Sequence, residues 1–421
     1  MQTVMQFAGG LLCVLVIVQL FAYLWTFFKQ IPQSRVQHAL SQKLLGEQIA
    51  AANALRIQRE QAQHSWNGIR KFEVQKKEYE ADDQCSFYLV PHDGKPLPLF
   101  QPGQYLTFRL NVPDRDKPVI RCYSLSDSPS DKYYRVTIKR VPPPRDKDVP
   151  PGVGSNFFHD HINEGDIIDV QAPRGDFFIK PEERTPAVLI GGGIGVTPMM
   201  SMAARICEVN PSREVWLFYG LRSSADHAFK ARFEELGEQN ENLRLCICYS
   251  RPKDSDVEGK DYQYAERVTV DLFKKALPSN NYEFYICAPP PMLATLPQAL
   301  EDWGVPSSRV FMEAFGPASA PKKKKPAPAA DEAAKSGPAV KVKFSRADKE
   351  VDWSDNCDNL LELAEEQGVQ IDSGCRAGNC GTCEVALVEG KVSCVQAGAE
   401  IADGSCLACI SVPDGNVVLD A

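Results

Sequence analysis

The sequence lacks the features of a nucleic-acid binder, a secreted disulfide scaffold or a histidine-ligated metalloprotein. Its 47 basic residues are outnumbered by 55 acidic ones, for a net charge of −8, and no basic stripe interleaved with aromatics occurs. That excludes the electrostatic footprint of nucleic-acid recognition. Only six histidines are present, none at metal-ligand spacing. The fourteen cysteines do not form the framework of a small secreted domain. They stand singly in apolar runs such as Leu245-Cys246-Ile247-Cys248 and cluster only near the C-terminus, a usage that fits a reducing compartment. No lysine or arginine precedes the first apolar run, and aromatic rather than small residues crowd its end, which argues against a cleaved signal peptide. No proline interrupts residues 33–64.

What is present is organised around one short stretch, Ser373-Gly374-Cys375-Arg376-Ala377-Gly378-Asn379-Cys380-Gly381-Thr382-Cys383. Cys375, Cys380 and Cys383 stand at C-x4-C-x2-C spacing, and Cys409 offers a fourth thiolate downstream. Four thiolates at such spacing hold a plant-type [2Fe–2S] cluster. A zinc knuckle would instead favour two C-x2-C pairs. The flanking glycines supply positive φ and let backbone N–H groups approach the sulfurs.

At 421 residues the chain has room for about three domains. Residues 7–28 (FAGGLLCVLVIVQLFAYLWTFF) exceed the roughly 20 residues that cross a bilayer as a helix. Lys29, Arg35 and Lys43 follow, so the positive-inside rule places the remainder in the cytoplasm. The expectation is a single-pass anchor in the cell membrane. Residues 29–66 read as a helical stalk, with Leu40, Leu44, Ile49, Ala52 and Leu55 near helical spacing.

Residues 67–180 show short β-rich runs broken by proline, glycine and aspartate: Arg70–Val74, Cys85–Val90, Tyr105–Leu110, Tyr134–Lys139 and Asp166–Gln171. They predict an antiparallel β-barrel. Within it stand Arg121-Cys122-Tyr123-Ser124 and, further on, Gly152-Val153-Gly154-Ser155-Asn156. Arginine can grip a phosphate in bidentate fashion. A tyrosine two residues on shares its strand face and can lie against an aromatic ring. The glycine-rich segment resembles a turn that opens a helix onto a second phosphate.

In residues 181–316 the apolar run Ala187–Ile190 ends at Gly191-Gly192-Gly193-Ile194-Gly195-Val196-Thr197-Pro198, and a helical pattern, Met199–Val209, follows. This strand, glycine turn and helix form the phosphate cradle of an α/β dinucleotide site, although the turn is not G-x-G-x-x-G. Strands at Val215–Gly220, Leu243–Tyr249 and Tyr282–Cys287, with a helix at Ala228–Leu236, predict a parallel sheet.

Taken in this order, the segments resemble the ferredoxin–NADP reductase family in its form fused to a [2Fe–2S] ferredoxin domain. The resemblance implies that Arg121, Tyr123 and Ser124 hold a flavin, with Ser124 near its N5. It implies that Gly152, Gly154, Ser155 and Asn156 bind a diphosphate, which favours FAD, and that Lys139 approaches the adenosine half. Gly192, Gly193, Gly195, Thr197 and Pro198 would cradle the nicotinamide nucleotide. Tyr285-Ile286-Cys287-Ala288-Pro289-Pro290-Pro291-Met292 resembles the family's C-G-P-P-x-M element, with Ala288 in place of glycine, and puts Cys287 beside the nicotinamide. Met312-Glu313-Ala314-Phe315 resembles the E-x-F ending, with Glu313 and Phe315 near the flavin. Arg222 or Ser223, after the second strand, could hold a 2′-phosphate; the fused group leans to NADH, so either NADH or NADPH is expected.

Residues 317–338, rich in proline, alanine and lysine, read as a flexible linker. Residues 339–421 match the β-grasp shape of plant-type ferredoxins. Among Cys394, Cys406 and Cys409, it is Cys409 that resembles the family's final ligand, with Cys406 next. The whole predicts a multidomain reductase that passes electrons from NAD(P)H through FAD and [2Fe–2S] to a membrane-associated acceptor protein. An oxygenase, hydroxylase or desaturase would be such an acceptor. A quinone or respiratory complex, or a redox sensor without turnover, are the alternatives, and no nucleic acid is involved.

Overall fold

The protein was analysed as a computed structural model, which describes residues 16–23, 25, 65–115, 118–143, 151–315, 340–353, 357–374, 378, 381–394 and 404–421. The linker, and the stalk apart from Ser65 and Trp66, lie outside the described residues. The chain divides into Met1–Gln63 and His64–Ala421. In the first unit residues 16–23 are helical, and Ile17, Val18, Leu20 and Phe21 are each more than half exposed. Among the described residues no helix is long and apolar enough to cross a membrane; the rest of residues 7–28, apart from Trp25, is not among them.

In the second unit, strands β1 (Arg70–Ala81), β2 (Gln84–Pro91), β3 (Tyr105–Leu110), β4 (Val119–Ser124), β5 (Tyr134–Lys139) and β6 (Ile167–Arg174) form one antiparallel sheet in the order β4-β3-β6-β1-β2-β5. An antiparallel bridge between Leu125, just past β4, and Val136 on β5 joins the two edges, so the sheet closes on itself as expected. Phe72, Phe87, Phe108, Tyr134 and Phe158 fill the interior. Phe158 comes from helix α1 (Val153–His161), which plugs one end. Sequence periodicity located most of these strands, with boundaries displaced by a few residues. It did not isolate β4, although that strand carries the Arg-x-Tyr-Ser run.

The next sheet is parallel, in the order β11-β10-β7-β8-β9: β7 (Ala187–Gly192), β8 (Val215–Leu221), β9 (Leu243–Tyr249), β10 (Glu283–Cys287) and β11 (Val310–Glu313). All six residues of β7 are buried, as befits a central strand covered on both faces. Leu189 faces a core shared with helix α2 (Val196–Val209), while Val188 and Ile190 face the opposite core. Helices α3 (Lys230–Gln239), α4 (Val270–Ala276) and α5 (Pro290–Asp302) complete the covering layers. Helix α3 starts two residues later than its apolar pattern predicts, because Phe229 takes a left-handed conformation at its N-cap.

In the C-terminal part a mixed sheet runs β13-β12-β18-β14-β16, from β12 (Lys341–Phe344), β13 (Lys349–Asp352), β14 (Glu384–Glu389), β16 (Ser405–Leu407) and β18 (Val417–Leu419). Strands β15 (Val392–Cys394) and β17 (Ser411–Pro413) pair beside it. Helix α6 (Leu360–Glu366) packs on it and is capped by Asn359, whose side chain accepts from Glu362 N. This arrangement is the expected β-grasp.

Candidate functional site

One cavity of about 700 Å³ collects residues from all three folded parts of the second unit. From the barrel come Arg121, Tyr123, Ser124 and Lys139, and from the start of α1 come Gly152, Gly154 and Ser155. Ile194, Thr197, Glu313 and Phe315 enter from the α/β sheet, and Gly374 from the cysteine-rich part.

On the barrel side, Arg121 and Tyr123 alternate along β4 and so share a face. A Cβ at Gly154 would lie 2.6 Å from Arg121 Cγ and 3.2 Å from Tyr123 Oη. Glycine is therefore what lets the first turn of α1 lie flush on those two side chains. That turn has no side-chain cap, so its leading N–H groups suit an anion. Ser155 Oγ instead donates to Gly152 O and accepts from Val141 N, at 3.1 and 3.2 Å. Asn156 turns its amide to Val141 O and Gly152 O, and it does not line the cavity. Asn156 thus braces the Gly152 turn from behind, while Ser155 braces it from within the cavity wall. Lys139 lines the cavity wall, but its Nζ is held by Asp83 and Asp226, each at 3.1 Å, rather than pointing unpaired toward an adenosine. Arg140, which the sequence reading passed over, lines the same wall and pairs with Asp160 at 2.7 Å.

On the sheet side the functional residues meet at the C-terminal edge, where open α/β sheets bind ligands. Gly193 has φ +54° with open space where a Cβ would stand, so it can turn the chain from β7 into α2. Thr197 Oγ1 donates to Ile194 O at 3.0 Å and steadies the turn. Pro198 is buried within the first turn of α2. A Cβ on Gly195 would stand 2.0 Å from the Cys287 carbonyl oxygen, and one on Gly192 2.5 Å from Pro289 Cδ. The glycine turn thus rests directly on the Cys287-Ala288-Pro289 turn. Ala288 is not among the described non-glycine residues with positive φ, so alanine fits where the family has glycine. Overpacking of this kind costs about 1–3 kcal/mol, so Gly195→Ala is expected to lower the melting temperature and weaken nucleotide binding. A thermal melt and a nucleotide titration check both. Arg222 lies exposed past the end of β8, its carbonyl accepting from Arg251 N at 2.8 Å, and it does not reach the cavity wall.

Cys287 and Glu313 face each other across the parallel pair β10–β11. Cys287 is fully buried, and desolvation, with Glu313 close by, keeps its thiol well above the ordinary range. It stays a neutral S–H and not a thiolate nucleophile. Burial likewise raises the Glu313 carboxyl to about 8, against a hydrogen bond from Ser124 that lowers it. Its Oε2 is buried without a partner among the described residues. Ser124 and Glu313, drawn from two domains, therefore meet at one wall of the cavity, with Cys287 buried behind Glu313. Phe315, the other residue of the E-x-F ending, lines it too.

These features fit a flavin dinucleotide. Tyr123 offers an aromatic face, the uncapped helix start takes a phosphate, and an orphaned buried carboxyl oxygen borders the space for a ring. In the cysteine-rich part, Cys383 Sγ and Cys409 Sγ are 3.2 Å apart, and Gly378 N–H points at Cys409 Sγ at 3.4 Å. Gly378 has φ +77° and no room for a Cβ against Ile410. Cys406 sits in the domain core with its thiol pushed up to about 12 by burial, and Cys394 is exposed. Cys375 and Cys380 lie outside the described residues. Two converging sulfurs with a backbone N–H aimed at one of them are what an iron–sulfur site requires.

Comparison with known proteins agrees with this reading. Residues 71–179 match the oxidoreductase FAD-binding domain, 189–297 the oxidoreductase NAD-binding domain, and 343–414 the 2Fe-2S iron-sulfur cluster binding domain. A flavohemoprotein of Halalkalibacterium halodurans is 38% identical over 258 residues, 61% of this chain and 62% of that one. The chain thus spans somewhat under two thirds of such relatives. The flavohem-like FAD/NAD-binding domain of a nitric oxide dioxygenase from Vibrio cholerae is 31% identical, with a TM-score of 0.52, covering 59% of this chain and all of that one. Phthalate dioxygenase reductase, described as a modular structure for electron transfer from pyridine nucleotides to [2Fe–2S], is 25% identical with a TM-score of 0.51. That likeness covers 84% of this chain and 98% of the other. With FAD-binding, NAD-binding and [2Fe–2S] domains in that order, the chain belongs to the ferredoxin–NADP reductase family of oxidoreductases in its fused form.

Proposed function

We propose that the chain is a membrane-anchored reductase that carries electrons from NAD(P)H, through bound FAD and a [2Fe–2S] cluster, to an acceptor protein at the membrane. The single observation that carries this reading is the shared cavity, whose wall takes residues from the flavin barrel, the glycine turn, the Glu313–Phe315 ending and Gly374 beside the cysteine loop. When bound, a flavin accepts two electrons together from a nicotinamide and releases them singly to a cluster. The chain's own part is placement. Tyr123 and Phe315 border the ring, Ser124 stands at its N5 side, and Cys287 and Glu313 keep the nicotinamide side dry and neutral. Cys375, Cys380, Cys383 and Cys409 are the proposed iron ligands. No proton-transfer dyad or activated nucleophile is required.

The anchor reading rests on residues 7–28 and on the exposed apolar side chains of residues 16–23, which suit lipid better than water. An oxygenase, hydroxylase or desaturase is the acceptor class we favour. A haem protein is the second reading, because the relatives named flavohemoproteins pair the same kind of module with haem.

The test is spectroscopic. Purified full-length protein should bleach in both its flavin and its iron–sulfur bands on anaerobic addition of NADH or NADPH, and absence of bleaching with both refutes the reading. Deleting residues 7–28 should move the protein from the membrane fraction to the supernatant without altering that bleaching. Persistence in the membrane fraction would remove the anchor.

A further inference from the structure

Between the barrel and the α/β domain runs a seam that the proposed reaction has not used. Asp226 Oδ1 accepts from Lys139 Nζ at 3.1 Å, and the Asp226 carbonyl accepts from Gln84 Nε2 at 2.9 Å. Three residues on, Phe229 is 2% exposed and adopts φ +60°, ψ +19°, a left-handed conformation rare for a bulky side chain. The Arg135 guanidinium lies over its ring, 4.9 Å from the centroid. Arg135 is itself fixed by the Ser126 carbonyl, by Tyr88 Oη at 3.4 Å and by Asp127 at 3.6 Å. On the other side His227 Nδ1 meets Tyr249 Oη at 2.7 Å at the end of β9, and Tyr249 stacks on Tyr262 at 5.0 Å. Burial holds the His227 ring neutral, its pKa lowered to about 4.

Asp226 and Phe229 thus tie the α/β domain to β2 and β5 of the barrel, while His227 between them holds to the end of β9. Arg135, Thr137 and Lys139 stand at alternate positions of β5 and share one face, and Thr137 and Lys139 are part of the cavity wall. A strained residue persists only where its surroundings over-determine it. Here a large part of those surroundings, Arg135, belongs to the other domain. We propose that residues 226–229 are a positioning element that keys the nicotinamide domain to β5 and so sets how the nicotinamide meets the flavin; this rests on the hydride-transfer reading above. The plainer account is that Phe229 merely fills its own domain's core, since it also packs on Phe233 at 6.2 Å.

The two accounts separate in Phe229→Ala, Phe229→Gly and Phe229→Leu. The glycine variant removes the ring and relieves the backbone together, whereas leucine keeps apolar bulk. Misplacement by about 1 Å can cost on the order of a hundredfold in rate. We therefore expect the alanine and glycine variants to slow flavin reduction at saturating nucleotide by about tenfold or more. Nucleotide affinity should change by less than about threefold, and the long-wavelength absorbance of stacked nicotinamide and flavin should weaken. Phe229→Leu should restore most of both. In a separate arm without nucleotide, hydrogen exchange of the Tyr134–Lys139 amides should quicken in Phe229→Ala and Asp226→Asn. Unchanged rate and absorbance in the glycine variant, with only its melting temperature moved, overturn the proposal, as does unchanged exchange. Failure of the wild type to be reduced by either nucleotide would instead sink the hydride-transfer reading, while the exchange measurement still decides the seam.

Discussion

Cys383→Ser or Cys409→Ser is expected to lower reduction of a one-electron acceptor protein by at least about a hundredfold, while flavin reduction by nucleotide stays within about twofold. The two sulfurs converge to 3.2 Å with the Gly378 N–H aimed at Cys409. A hydroxyl in place of either thiolate removes a ligand that the remaining cysteines cannot replace. The proposed flavin side of the cavity, lined by Ser124 and Glu313, does not involve these residues. Cys406→Ser and Cys394→Ser are the controls. Cys406 is a core thiol on β16, and Cys394 is exposed on β15, so both variants should keep iron, sulfide and the visible spectrum. Loss of the cluster in Cys406→Ser with its retention in Cys409→Ser would reverse the choice of fourth ligand.

Most of what made the family legible lies within single contiguous segments. The Gly191–Pro198 turn and the Cys375–Cys383 loop each declare their chemistry by spacing, because one turn carries it, whereas the Arg121–Ser124 run is weak alone and gains its meaning from its order with them. What was not legible depends on pairing between distant segments. Glu313 reaches Cys287 only because β11 adds to β10 in parallel, and β11 is a four-residue strand with no pattern of its own. Helices α4 and α5 likewise carry no clear helical pattern, their apolar positions being few or interrupted by proline. For Lys139 the family resemblance implies a contact with the adenosine half. Its actual partners, Asp83 and Asp226, lie 56 residues upstream and 87 downstream in the chain. Phe229 is the extreme case. Propensity puts phenylalanine in helix or strand, and nothing in its local sequence announces a left-handed backbone packed between Phe233 of its own domain and Arg135 of the other.

The pH dependence of flavin reduction is expected to report Glu313. In the folded protein burial holds its proton up to about pH 8, with the Ser124 hydrogen bond opposing. At pH 7 the wall beside the ring is therefore neutral, and electron density arriving there meets no carboxylate. As pH rises through about 8 the group ionises in a dry site, and the rate should fall by about tenfold by pH 9. Glu313→Gln keeps an acceptor for Ser124 and cannot ionise. It should match the wild type at pH 7 and exceed it at pH 9. Glu313→Ala releases Ser124 and admits water, so it should lose on the order of a hundredfold at every pH. Stability gives an independent check. Unfolded, the carboxyl titrates near its ordinary value of 4.5, and folded near 8. Between those values the folded state binds the extra proton, so wild-type stability should fall as pH rises through this window, with the loss complete above about 8. Glu313→Gln should lack that slope. Melting temperatures of both flavin-free proteins between pH 5 and 9 would show it, and parallel curves would mean that Glu313 is already ionised in the folded state.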